Sequence, residues 1–157
     1  MKLKLFWTTV LFALASPAVA ETYDAGGTGH GTAMNEAMPV SEDLVVIHAV
    51  SQYDRFDTTD PDSPMSSLKG PCFGSLVIKA GQVSGDGYCH YADKNGDMVI
   101  MAWTAEGLSD DGRTMGSWSV VGGSGKWAEA SGGGGFLAGE DAAGVYTNEI
   151  TGEVMLP

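Results

Sequence analysis

Cys72 and Cys89 stand symmetrically about a short turn, Lys79-Ala80-Gly81-Gln82, and that symmetry restricts the fold more than any other feature of the chain. If Ala80-Gly81 is a two-residue hairpin loop, strand partners have residue numbers that sum to 161, as 72 and 89 do. The two cysteines then face each other across an antiparallel pair, where Cβ atoms approach to about 4.5–5.5 Å, close to the reach of a disulfide. This reading sets a register, calls for an oxidising compartment and makes the chain rich in β structure.

The compartment is supported from the other end of the chain. Lys2 and Lys4 form a positive n-region, Leu5 to Ala15 is an apolar stretch too short to span a bilayer, and Ala18-Val19-Ala20 supplies small residues for cleavage. Residues 1–20 therefore read as a signal peptide, with a mature chain from Glu21 that is periplasmic or secreted. No later apolar run approaches membrane-spanning length, so membrane insertion is not expected. Residues 21–157 suffice for one core, and a single β-barrel domain is expected there, preceded over 21–43 by an irregular arm or edge strand.

Loss of Lys2 and Lys4 leaves six cations against twenty acids, taking the net charge from −12 to −14. Such a surface repels phosphate backbones and argues against a nucleic-acid partner. The cysteine spacing is far from C-x-x-C and no His/Cys cluster accompanies it, so a structural bridge is expected rather than a metal or redox pair. Closing a loop between residues 17 apart is worth about 3 kcal/mol.

Residues 44–56, rich in β-branched and aromatic side chains, read as a long strand, and Thr58 to Pro64 as a loop. A meander follows: Cys72–Ile78, Val83–Asp93 and Asp97–Ala105, the second turn marked by Asn95-Gly96. Taking Asn95-Gly96 as a two-residue loop gives partner numbers summing to 191 and predicts an aromatic row, Phe73 opposite Tyr88 opposite Trp103, with Pro71, His90 and Met101 beside it. In this register the row lies on the sheet face opposite the cysteines. A two-residue Asp110-Asp111 loop extends the row to Trp118; a three-residue loop puts Ser119 there instead. Glycine-rich Gly122–Gly135 flanks one helical turn at Lys126–Ala130, and two short strands finish the chain, giving seven or eight strands in a barrel or sandwich.

The segment GGSGKWAEASGGGGF, Gly122–Phe136, resembles a stretch near the end of allene oxide cyclase and dirigent-like β-barrels and of small exported bacterial proteins of the same superfamily. The bacterial pattern of a cysteine, GxGxC, DxDGD and a tryptophan is met by Cys72, Gly85-Asp86-Gly87-Tyr88-Cys89, Asp93-Lys94-Asn95-Gly96-Asp97 and Trp103. The match covers about residues 70–137, and Trp127-Ala128-Glu129 departs from the Phe-Ala-Gly usual there. The resemblance implies an all-β, antiparallel eight-stranded barrel with a partly apolar lumen. It carries across no catalytic residue, since no residue-by-residue match to either catalytic set is found.

Other motifs resolve into turn chemistry. Asp93–Asp97 lacks the glycine and glutamate spacing of a calcium loop, and Gly125-Lys126 lacks the flanking Gly and Ser/Thr of a phosphate loop, so neither metal nor cofactor is expected. The sequence points to a small, mostly apolar ligand against a wall of Phe73, Tyr88, His90, Met101, Trp103 and Trp118. The alternative is a cofactor-independent cyclase or isomerase in which His90, Glu106 or His48 moves protons. A third reading is a self-associating homo-oligomeric barrel. The opposite face, with Leu76, Ile78, Val83, Met98 and Ile100, is also apolar, so which face lines the lumen stays open.

Overall fold

The computed structural model describes residues 20–141 and 143–157, so the expected signal segment falls outside the described residues save for Ala20. Eleven strands build one antiparallel sheet: β1 (Glu21–Asp24), β2 (Gly27–Ala33), β3 (Glu36–Ser41), β4 (Leu44–Thr58), β5 (Gly70–Lys79), β6 (Gln82–Ala92), β7 (Met98–Leu108), β8 (Thr114–Gly123), β9 (Ser131–Glu140), β10 (Tyr146–Ile150) and β11 (Glu153–Leu156). The expected irregular arm is thus strand. Its glycines allow the chain to lie close against β4 and β10.

The sheet closes because β8 pairs with β9. β1 and β2 act as one interrupted stave, and β10 and β11 as another, each broken at a bend beside its neighbour. With these merged, the architecture is a closed antiparallel eight-stranded barrel. β3 continues beyond the closed part, paired to β4 and exposed along its whole length.

The β5–β6 register is the one expected, with Cys72 opposite Cys89 and the disulfide formed. The β6–β7 register is not. Tyr88 lies opposite Ala102, and Trp103 opposite Gly87, so partner numbers sum to 190 instead of 191. The cause is the turn: Asp93 N–H donates to Asp97 O, which leaves a three-residue loop with Gly96 at φ +87. Such a loop places its glycine in the left-handed region. One residue of slip moves all of β7 to the other face relative to the expected row.

At β7–β8 two departures cancel. The loop Asp110-Asp111-Gly112 has three residues, with Ser109 N–H donating to Arg113 O. A bulge at Glu106 then resets the register, and Trp118 stands opposite Trp103 after all.

The two barrel ends differ. At one end a 3-10 turn at Pro64–Ser67 buries Pro64 and Met65, and the following Leu68 is buried too. Beside it a second 3-10 turn, Gly125–Trp127, inserts a fully buried Trp127. There Asp93, its side chain fully buried, accepts from Asn95 N–H at 2.8 Å and Asp97 N–H at 3.1 Å and pairs with Lys126 Nζ at 3.0 Å. Apolar plugs and a buried ion pair close this end. The opposite end, formed by loops 42–43, 80–81, 109–113 and 141–145, has no such plug among the described residues.

Candidate functional site

Strand alternation sends every second side chain inward, and the barrel interior is a cavity of about 300 Å³. That is at the small end for sites that take organic ligands. The inward residues of β5 and β6 are those of the cysteine face, including Leu76, Ile78 and Val83, so that face lines the lumen; Met98 and Ile100, expected with it, are turned away by the shift in β7. The disulfide itself lies in the lumen wall, with Tyr91 hydroxyl 2.9 Å from Cys72 Sγ.

The six residues expected to form one wall divide between two faces. Met101, Trp103 and Trp118 point into the lumen. Tyr88 and His90 are on the outer face, exposed, because they alternate with Cys89, which faces the lumen; the loop at Gly96 is what turns Met101 and Trp103 to the lumen side. Phe73 borders the cavity from its place in β5, but alternation from Cys72 turns its ring outward, 48 % exposed. His48 and Glu106, the other two proton-transfer candidates, are also exposed, and Glu106 accepts a hydrogen bond from Ser117 Oγ at 2.8 Å.

Within the lumen, Trp103 lies over Gly74 and Gly87, which face each other across β5–β6. A Cβ at either glycine would run into the indole ring. In the Gly85-Asp86-Gly87-Tyr88-Cys89 stretch, the indole and the Phe73 carbonyl both require glycine at 87, and the Ser75 carbonyl and Leu76 require it at 85. Trp103 packs edge-on to Phe136, and Trp118 donates its Nε1 proton to Thr151 O at 3.1 Å, which holds both indoles in place.

A second aromatic group was not legible as such in the sequence. Tyr53, Phe56 and Tyr91 form a cluster with centroids 5.5–6.2 Å apart, and Tyr146 joins at 5.9 Å from Tyr53. The Tyr53 and Tyr146 hydroxyls meet at 3.2 Å. Whichever donates, one proton of the pair remains for another acceptor. Burial, reinforced by the neighbouring phenols, pushes the Tyr53 and Tyr91 hydroxyls up, so both stay neutral donors. Beside Tyr146 on β10 stands Asn148, 9 % exposed, whose buried Oδ1 has no hydrogen-bond partner in the protein. The signal that could have found Tyr91 is its spacing two residues from Cys89, which alternation places on the same face.

Among the described residues, no Asp, Glu, Lys, Arg or His lines the cavity, and no group of three His, Cys, Asp or Glu is placed to hold a metal ion. The lumen can surround an apolar body and offer a few neutral hydrogen-bonding groups. Charge begins at the mouth, where a polar recess containing Asp111, Arg113, Glu140 and Asp141 shares Asn35, Gly112, Gly139 and Tyr146 with the lumen.

No family model and no curated protein matches the chain. Among solved structures it is similar to the pterocarpan synthase dirigent protein GePTS1, with a TM-score of 0.55 at 16 % identity, covering 92 % of this chain and 97 % of that one. The likeness extends over almost the full length of both chains and establishes a shared dirigent-type barrel fold.

Proposed function

We propose that this protein is an exported barrel that holds a small, mostly apolar ligand in its lumen without catalysing a reaction on it. The observation that carries the reading is the lumen itself: a cavity of about 300 Å³, plugged at one end, lined mainly by aromatic and aliphatic side chains with a few neutral polar groups and, among the described residues, by no charged one. Burial of apolar ligand surface there is favourable by about 25 cal/mol per Å². The rigid indoles and the disulfide in the wall keep the cavity formed before a ligand arrives.

Binding is favoured over catalysis because the three candidate proton carriers, His48, His90 and Glu106, face away from the lumen. Burial raises the hydroxyls of Tyr53 and Tyr91, which do face it, so that they stay neutral. Export is supported by the disulfide and by the leader-like residues 1–20. No helix of the described residues is long and apolar enough to cross a membrane.

Native mass spectrometry of the protein purified from the periplasm or medium tests this reading. The expected result is a co-purifying small molecule lost on mild activation. A spectrum of bare protein that also fails to take up any of a panel of small apolar compounds contradicts it.

A further inference from the structure

The open end of the barrel has a charge pattern that bears on what can enter. Its loops and the strand ends beside them carry six acids, Glu42, Asp43, Asp110, Asp111, Glu140 and Asp141, all exposed. The cations there are Lys79 and Arg113, which leaves the rim at −4. Arg113 is already engaged, donating to Asp111 at 2.9 Å and to Glu149 at 2.7 Å. Asp141 is held anionic by the backbone N–H groups of Val145 and Ala143, which keep its carboxyl below the usual range. Hydrogen bonding from Ser109, and then Arg113, does the same for Asp111.

Inside that rim lies a second, independent feature. Asn148 is more than nine-tenths buried on a lumen-facing position, and its Oδ1 has no partner. A buried acceptor without a donor is costly unless a ligand supplies one. Tyr146 stands two residues away on the same strand and lines the same cavity, in a ring cluster with Tyr53, Phe56 and Tyr91. Aromatic faces with a neutral acceptor and no competing cation suit an ammonium group, because the ring quadrupole attracts positive charge.

We propose that the lumen selects a cationic amphiphile, an alkyl or aryl amine whose protonated nitrogen donates to Asn148 Oδ1 beside the tyrosine cluster while its apolar body fills the cavity toward Met101 and Trp118. The inference rests on the ligand-binding reading above and adds the charge of the ligand to it. An alkyl carboxylate meets the opposite conditions: a negative rim, no cation lining the lumen among the described residues, and a buried Asn148 Oδ1 that it cannot supply with a proton. A neutral alcohol satisfies Asn148 but gains nothing from the rim.

Three chain-matched probes separate these cases by calorimetric titration near neutral pH: octylammonium, 1-octanol and octanoate. At about 10 mM salt the proposal expects octylammonium to bind about tenfold more tightly than octanoate and severalfold more tightly than octanol, with the first ratio shrinking to about twofold at about 300 mM salt. Neutralising the rim as Glu42→Gln, Asp110→Asn and Glu140→Gln lowers octylammonium affinity about threefold and leaves octanol unchanged. Asn148→Leu weakens octylammonium about tenfold. Octanol or octanoate binding as tightly as octylammonium overturns the charge selection and leaves lumen binding standing. Failure of all three probes to bind overturns both.

Discussion

The hydroxyl of Tyr53 on β4 meets that of Tyr146 on β10 at 3.2 Å, joining residues 93 apart in the chain across the lumen wall. Neither β4 nor β10 pairs with the other; β2 runs between them. The side chains meet over β2, where Gly29 leaves room for the Tyr53 and Phe56 rings, so the contact depends on β10 pairing with β2. Ligand and fold share these groups, which makes the lumen testable through stability as well as binding.

The disulfide ties β5 to β6 within the lumen wall. Replacing both cysteines, Cys72→Ala with Cys89→Ala, removes its constraint on the unfolded chain and costs about 3 kcal/mol. A fall of about 10 °C in melting temperature is expected for a domain of this size. An unchanged melting temperature would show that the bridge has no structural weight.

A side chain at Gly87 would meet both the Trp103 ring and the backbone carbonyl of Phe73. Gly87→Val therefore pushes the Trp103 ring from its seat, strains the β5–β6 ladder, destabilises the fold by about 1–3 kcal/mol and narrows the cavity. Near-ultraviolet circular dichroism should show the indole signal altered, with ligand uptake reduced. An unaltered spectrum and affinity would mean that Trp103 does not lie over this glycine.

Asp93 links the plugged end to pH. Burial alone would raise its carboxyl, but Lys126 and the N–H groups of Asn95 and Asp97 outweigh burial and hold it below the ordinary range. A folded value below the unfolded one means that its stabilisation is present above the unfolded value of 3.8 and is lost as pH falls through the folded value. Lys126→Met should cost about 1–3 kcal/mol at neutral pH by leaving a buried carboxylate short of its cation. The difference from the parent protein should shrink in acid, where Asp93 is neutral in both. Denaturant melts across pH measure this, and a difference that grows in acid would refute the assignment.

His90 offers a control on the outer face. His90→Ala should leave ligand affinity and its pH dependence unchanged, because the imidazole is exposed outside the barrel. A severalfold loss of affinity would return His90 to the site.

How much of this was readable in advance follows from turn geometry. The Cys72–Cys89 pair was legible because two independent features, a turn and a bridge, agree on one register. The next strand was misplaced because Asn95-Gly96 fits a two-residue turn as well as the last two positions of a three-residue loop. That single ambiguity separated Met101 and Trp103, which face the lumen, from Tyr88 and His90, which keep the face opposite Cys89 and lie outside. Trp118 was placed opposite Trp103 through a loop length that is wrong and a bulge at Glu106 that compensates, a cancellation that local sequence does not encode. Tyr53, Tyr146 and Asn148 come together only when β10 joins β2, strands from opposite ends of the chain, and no local signal reports that pairing.

The central claim is that the ligand sits inside the barrel, and the methionine methyls report on it directly. Met65 and Met101 are buried against the lumen, whereas Met34, Met38, Met115 and Met155 are exposed. Titration of methyl-labelled protein with octylammonium, followed by NMR, should shift the Met65 and Met101 signals saturably and leave the exposed four in place. Shifts confined to the exposed methionines, with Met65 and Met101 unmoved, would place the ligand on the outer surface and contradict the account.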